Sequence, residues 1–250
     1  MTVIAEKDRP TVRDLLAREL SEDVELLLFT RGRSNRFAAG SDAGLTCDET
    51  HELLEELAGL SERLHLTAID VDEDIDTSTR FNVTALPTVI IRRRDLSKNL
   101  VDLSLGRDES GSGPLVSEPG GNVRFLGLPG GYEFSTLLAD IVDVSKGRVD
   151  LSAETRSFVE ALDTSVHLQV FVTPSCPYCP RAARMAHQMA MLNPMILADV
   201  IEANEFQEIS ERYQVRSVPM TVINNRIQFV GSLPEAKVVD AIKKAVTLDG

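Results

Sequence analysis

Hydrophobic and polar positions follow one order of events twice along the chain. From Thr11 the stretch "TVRDLLARELSEDVELLLFT" begins as a short amphipathic helix and passes into an apolar run over residues 24–30, the pattern of a buried strand. Residues 152–173, "SAETRSFVEALDTSVHLQVFVT", repeat that order. Each run leads to a helix. Leu53, Leu54, Leu57, Leu60 and Leu64 share one face at helical spacing in the first round, and Ala182, Met185, Ala186, Met189 and Leu192 do so in the second. Strand-like "LTAIDV" and "MILADVIE" come next, then short helices near 73–81 and 205–213, then "ALPTVIIR" and "SVPMTVIN". Each of these last two is an apolar strand introduced by a proline, which cannot donate a ladder hydrogen bond and belongs at a strand's start or edge. A final strand and helix close each round in "VRFLGLPGGYEFSTLLADIV" and "IQFVGSLPEAKVVDAIKKAV".

The two rounds share a register. Cys179 follows Cys47 by 132 positions, and Pro219 follows Pro87 by the same 132. Equal lengths of helix, strand and helix between cysteine and proline point to internal duplication. The chain then divides into domains 1–146 and 147–250, the break falling between Ser145 and Val149. Two segments have no counterpart. "RGRSNRFAAGSDAG" lengthens the connection before the first cysteine, and residues 95–122, with five glycines and two prolines, read as a mobile loop or extended hairpin rather than packed structure.

A chain of 250 residues with 43% hydrophobic content can bury two cores. Its 39 acidic residues outnumber 26 basic ones, for a formal charge of -13, which repels a phosphate backbone; nucleic acid is not an expected partner. The N-terminus "MTVIAEKDRP" meets charge by residue 6, too early for a secretory signal, and no stretch approaches the roughly 18 apolar residues of a membrane helix. The expectation is a soluble, cytoplasmic protein with no membrane partner.

Three cysteines are too few for a disulfide framework in a chain of this length and read as chemistry. "TPSCPYCP" follows a strand and opens a helix, where positions i and i+3 are about 5–6 Å apart, within the span of a disulfide. Helix-start N–H groups and the positive end of the macrodipole favour a thiolate, so Cys176 reads as the nucleophile and Cys179, one turn in, as the resolving thiol. Pro177 suits the first helical position, where its missing N–H has no partner to lose, with Pro180 still in the first turn. The bland alternative is half of a zinc site, completed by Cys47 and His51, but these fill the expected spacing poorly. No metal and no bound cofactor are expected. In the first round Gly44 stands where Cys176 stands in the second, so Cys47 has no local partner. "TCDE" offers Thr46 as an N-cap and Glu49 as its capping-box partner, with Cys47 a small buried residue; the alternative is a thiol that pairs with a partner or is modified. His167, in a strand, and His187, in a helix, read as surface or packing residues, and five of six methionines lie at or beyond residue 185 to fill the second core.

"FVTPSCPYCPRAARMAH", the "SVPM" turn and "FLGLPGGYEFSTLLADIVDVS" resemble the thioredoxin superfamily, and within it the protein disulfide oxidoreductases built from two fused glutaredoxin-like domains. The resemblance covers nearly the whole chain. It implies an α/β fold of two tandem thioredoxin-like units, each a central mixed sheet flanked by helices, the first with a degenerate active site. It further implies a cis Pro219 beside Cys176 and a Val218 backbone that pairs with an incoming peptide, so that Pro177, Tyr178, Val218 and Pro219 form the substrate-binding surface. The activity implied is thiol–disulfide exchange with protein substrates, served by a reductase such as a thioredoxin-reductase-like flavoprotein. One silent and one active thioredoxin fold also occur in the N-terminal part of the flavoprotein that reduces a peroxiredoxin. That likeness implies a rival role as a dedicated electron relay. A peptide-binding or metal-binding module without turnover is the reading from another class.

Overall fold

Each round of the sequence folds in the order its pattern requires. A computed structural model of the chain describes residues 3–32, 43–95, 115–116, 118 and 120–248. The first half runs α1 (Arg9–Glu19), β1 (Val24–Thr30), α2 (Ala43–Ala58), β2 (Leu64–Asp70), α3 (Ile75–Arg80), β3 (Thr88–Arg93), β4 (Val123–Leu126) and α4 (Tyr132–Lys146). The second runs α5 (Ala153–Glu160), β5 (Val166–Val172), α6 (Cys179–Leu192), β6 (Ile196–Glu202), α7 (Gln207–Arg212), β7 (Met220–Ile223), β8 (Ile227–Val230) and α8 (Glu235–Thr247). The correspondence extends to single hydrogen bonds. Val83 N–H reaches Ser78 O (3.0 Å) around a left-handed Asn82, as Val215 N–H reaches Ser210 O (2.9 Å) around a left-handed Gln214. Gly127 and Gly231, at φ 94° and 95°, donate to the carbonyls of Pro87 (2.9 Å) and Pro219 (2.7 Å), and both prolines follow cis peptide bonds.

The eight strands form one sheet rather than one sheet per half, in the order β2-β1-β3-β4-β6-β5-β7-β8. The expectation of separate central sheets is corrected by the parallel pairing of β4 with β6, from Val123↔Ala198 to Leu126↔Ile201. Each four-stranded unit leaves a row of unpaired N–H and C=O groups at its edges, and pairing one edge of each half satisfies both. The sequence carries the mark of this. β6 is buried at all seven positions, whereas its counterpart β2, at the outer edge, exposes Thr67 and Ala68.

The five leucines of the α2 face are buried as expected, and one large core cluster runs without a break from Leu16 and Leu54 to Met189 and Ile242. On the second face Ala186, Met189 and Leu192 are buried and Ala182 and Met185 partly so, while every residue from Ala186 to Leu192 is covered because α6 lies between α4 and the sheet. The start of α2 departs from expectation. The helix begins at Ala43, so Thr46 is not its N-cap and Cys47 lies a full turn in; the Thr46 hydroxyl serves the Glu205 carboxyl of the other half instead. Residues 33–42 and 96–114, which hold most of both insertions, lie outside the described residues. Val116, near the end of the second, is buried in a cluster with Phe29, Phe81 and Ile90.

A buried ion pair crosses the seam. Arg124 on β4 donates Nε and Nη2 to the Asp199 carboxylate on β6 at 2.6 and 3.0 Å, and Nη1 to the carbonyls of Phe81 (3.0 Å) and Asn82 (3.2 Å). His167 Nε2 meets the same carboxylate at 2.7 Å. Burial alone would raise Asp199, but Arg124 and His167 together overturn that and hold its carboxyl well below the usual range. Removing one partner strands the other's charge. Arg124→Met is expected to lower stability by about 3–5 kcal/mol in urea denaturation, and Arg124→Met with Asp199→Leu to recover most of the loss.

Candidate active site

β5 ends at Val172, and the chain turns through residues 173–178 before α6 starts. Cys176 N–H donates to Thr173 O (3.1 Å) and Cys179 N–H to Cys176 O (3.4 Å). The helix therefore begins at Cys179 and not at Pro177, which corrects the expected register. An α-helical bond back to the Cys176 carbonyl would have to come from residue 180, a proline with no N–H, so the carbonyl is taken by the tighter turn from Cys179. Pro180 holds the early helical position, and Pro177 is an exposed turn residue.

Both cysteines are free thiols. Cys176 keeps 8% of its surface exposed and Cys179 none. The Cys176 thiol lies 3.7 Å from the Val218 carbonyl, on the cis Val218–Pro219 bond, so the cysteine turn and the proline turn meet at this sulfur. Val218 is half-buried and Pro219 buried, while Tyr178, at 71% exposed, projects from the rim beside Pro177. Burial pushes the Cys179 thiol far up from its ordinary value, and the adjacent Cys176 sulfur and the Glu133 carboxylate push the same way.

Glu133 comes from the first half, and residue-by-residue reading of the sequence missed it. The loop before α4 docks on the cysteine loop through Tyr132 N–H to Pro174 O at 2.9 Å. Gly131 is needed there, since it sits at φ 59° and a Cβ would fall 2.2 Å from that same carbonyl. Docking drives the first turn of α4 into the interface and buries Glu133 to 2% exposure with no hydrogen bond to either carboxyl oxygen. Burial raises its carboxyl to about 7, against opposing pulls from Thr136 and His187. Thr136, one turn on, lies near enough to act on Glu133 yet makes no hydrogen bond by distance and angle. Farther along, Asp140 Oδ2 meets His187 Nδ1 at 2.6 Å, both residues fully buried, and Asp143 accepts from Arg184 (2.5 Å) and Gln188 (2.8 Å) of α6. His187 is thus no ordinary packing residue. The sequence did hold a signal: in "YEFSTLLADIVDVS" the polar residues Glu133, Thr136, Asp140 and Asp143 fall on one side at helical spacing, on a helix otherwise apolar.

Cys47 is buried, 2% exposed, in α2, at the position equivalent to Cys179. Among the described residues no group of three or more His, Cys, Asp or Glu side chains is arranged to hold a metal ion, so Cys47 and His51 do not join Cys176 and Cys179. Also among the described residues, no helix is long and apolar enough to cross a membrane.

The buried carboxyl has a consequence for stability with a definite sign. Between its unfolded value near 4.5 and its folded value of about 7, Glu133 holds a proton in the native state that the unfolded chain has lost, so stability falls as pH rises through that window. Glu133→Gln is expected to flatten this slope and to raise stability at pH 8 by up to about 3 kcal/mol, with little change at pH 4. Urea denaturation across that range checks it.

Residues 166–244 match the family model described as Thioredoxin domain. The alkyl hydroperoxide reductase flavoprotein component AhpF of Pseudomonas putida is 26% identical over 191 residues, 76% of this chain and 30% of that protein. AhpF of Staphylococcus aureus is 26% identical over 215 residues, 84% of this chain and 34% of that protein. The chain thus spans about a third of the length of these curated relatives. Among solved structures, a protein disulfide oxidoreductase from Aeropyrum pernix superposes with a TM-score of 0.78 at 29% identity, covering 97% of this chain and 94% of that one. The NTD_N/C domain of alkylhydroperoxide reductase AhpF from Enterococcus faecalis superposes at 0.74 with 20% identity, covering 96% and 99%, a likeness of fold alone. With two superposable halves and a C-x-x-C turn beside a cis-proline in the second, the chain belongs to the thioredoxin superfamily, as two fused thioredoxin-like folds.

Proposed function

We propose that the chain is a thiol–disulfide oxidoreductase that exchanges disulfides with protein substrates through Cys176 and Cys179, with residues 1–146 as the silent fold and 147–250 as the redox-active one. One observation carries this reading: the Cys176 sulfur, 3.7 Å from the Val218 carbonyl, is the partly exposed member of a dithiol whose other thiol is sealed. An extended peptide pairing with the backbone at Val218 brings its own disulfide to that sulfur, with Pro177 and Tyr178 bordering the contact.

The chemistry uses the protein's own two sulfurs and no cofactor. Cys176, as a thiolate, attacks one sulfur of the substrate disulfide, and the other substrate sulfur leaves as a thiolate. Cys179 then yields its proton to Glu133 and attacks the Cys176 sulfur. The substrate's second thiolate leaves, Cys176 and Cys179 are joined, and two electrons have passed to the substrate. Glu133 suits this step because a carboxyl that titrates at about 7 can both take and release a proton near neutral pH. A thioredoxin-reductase-like flavoprotein would return the disulfide to the dithiol.

A second reading is favoured by the alignment with the alkyl hydroperoxide reductase protein AhpF: a dedicated relay carrying electrons from a flavoprotein to a peroxiredoxin. Insulin separates the two, because a general oxidoreductase reduces it readily whereas a dedicated relay is slow on insulin and fast with its own partner. Cys179→Ser is expected to accumulate mixed disulfides with bound protein substrates on non-reducing gels, and Cys176→Ser to form none. Absence of adducts with Cys179→Ser would leave a binding module without turnover.

A further inference from the structure

The contact between α4 and α6 contains more buried charge than the two thiols and Glu133 require. His187 and Asp140 are both fully buried, the imidazole packed edge-on against Phe125 with ring centroids 4.9 Å apart. Burying such a pair is costly and, for stability alone, an apolar pair of similar volume serves as well or better. The geometry of the imidazole is specific. Nε2 lies 3.0 Å from the Arg124 carbonyl, which can only accept, so this nitrogen carries a proton. Nδ1 lies 2.6 Å from Asp140 Oδ2, and a second proton must sit in that short bond, since a bare nitrogen facing a bare carboxylate would repel it. The pair therefore holds two protons in a site sealed from water.

We propose that Asp140 and His187 are a positioning pair for Glu133, the buried imidazolium supplying the positive charge against which the Glu133 carboxylate ionises when it takes the proton of Cys179. This rests on the exchange reading given above. Glu133, Thr136 and Asp140 stand at i, i+3 and i+7 on α4, so the pair lies two turns behind Glu133, about 10 Å along the helix. Neither Glu133 oxygen, nor Thr136 Oγ1, nor Asp140 Oδ1 has a hydrogen-bond partner, so the line from Glu133 to His187 is a run of buried polar atoms that nothing else occupies. The other charges packed against this line are committed elsewhere. On α4 and α6, Asp143 is held by Arg184 and Gln188; on β4, β6 and β5, Arg124, Asp199 and His167 hold one another. The pull of His187 on Glu133 outweighs the push of Asp140, in keeping with an imidazolium that faces the glutamate. Without it the carboxyl would stay protonated to higher pH and could not accept the thiol proton at neutrality.

The test isolates the resolving step. In a Cys47→Ala background, the reduced protein is mixed with one equivalent of 5,5′-dithiobis(2-nitrobenzoate). Attack by Cys176 releases the first nitrothiobenzoate and attack by Cys179 on the mixed disulfide releases the second, so the second phase reports resolution. Its rate should rise with pH through a midpoint near 7, the value to which burial brings Glu133. A unit charge at about 10 Å in a partly dry site moves a carboxyl by about one unit, so His187→Gln should move the midpoint up by about one pH unit and slow the phase about tenfold on the acidic side. In Glu133→Gln that limb should vanish, and adding His187→Gln should move nothing further. Nitrogen chemical shifts of His187 in the unsubstituted protein should show both ring nitrogens protonated at pH 8, a measurement independent of how the variant folds. An unmoved midpoint in a folded His187→Gln protein, a shift that persists without Glu133, or a neutral imidazole at pH 7 would each overturn the proposal. If the parent protein shows no second release at all, the exchange reading itself fails.

Discussion

The parallel pairing of β4 with β6 is the contact on which the rest of the molecule depends. It merges two four-stranded units into one eight-stranded sheet, removes an edge from each, and makes β6 a central strand buried along its whole length. The helices follow the strands. α4, which follows β4, is laid against α6, which precedes β6, and this helix pair closes over the large common core. Arg124 and Asp199 pair across the seam, and a charged pair in such a place tolerates one register, because a slip would leave both ions buried and unpaired.

From this arrangement the first half acquires a part in the chemistry despite having glycine where the second half has its first cysteine. Its own cysteine is buried in α2, but its last helix begins on the cysteine loop of the other half, pinned by Tyr132 N–H to the Pro174 carbonyl. The buried carboxyl closest in influence to Cys179 belongs to that helix. A dithiol domain cut from the rest would retain both sulfurs and the cis-proline turn and would lose Glu133, Asp140 and Asp143 together. Silent and active folds thus divide the labour, with nucleophile and resolving thiol on one and the proton acceptor on the other.

Much of the fold was legible in residues alone. Period and length distinguished helices from strands, and the equal spacing of Cys47 with Pro87 and Cys179 with Pro219 exposed the duplication, which the paired cis-prolines and the paired left-handed Asn82 and Gln214 then repeat in three dimensions. Misreadings came where one residue answers to two demands. Pro177 has the right chemistry for a first helical position, but Pro180 three residues later removes the N–H that such a start would need. Thr46 and Glu49 spell a capping box, yet the helix runs back to Ala43 and Thr46 turns toward Glu205. His187 looked like packing because its partner, Asp140, is 47 residues away.

The chain by itself determined the two-fold repeat, the elements within each copy and the identity of the two thiols, because these depend on period, turn chemistry and short spacings that local sterics enforce. Only the tertiary structure decided that the two sheets are one and that a glutamate of the first copy stands behind the second copy's resolving cysteine. Edge pairing is written in backbone groups that every residue shares, and a buried carboxyl carries no mark of its burial until another helix covers it.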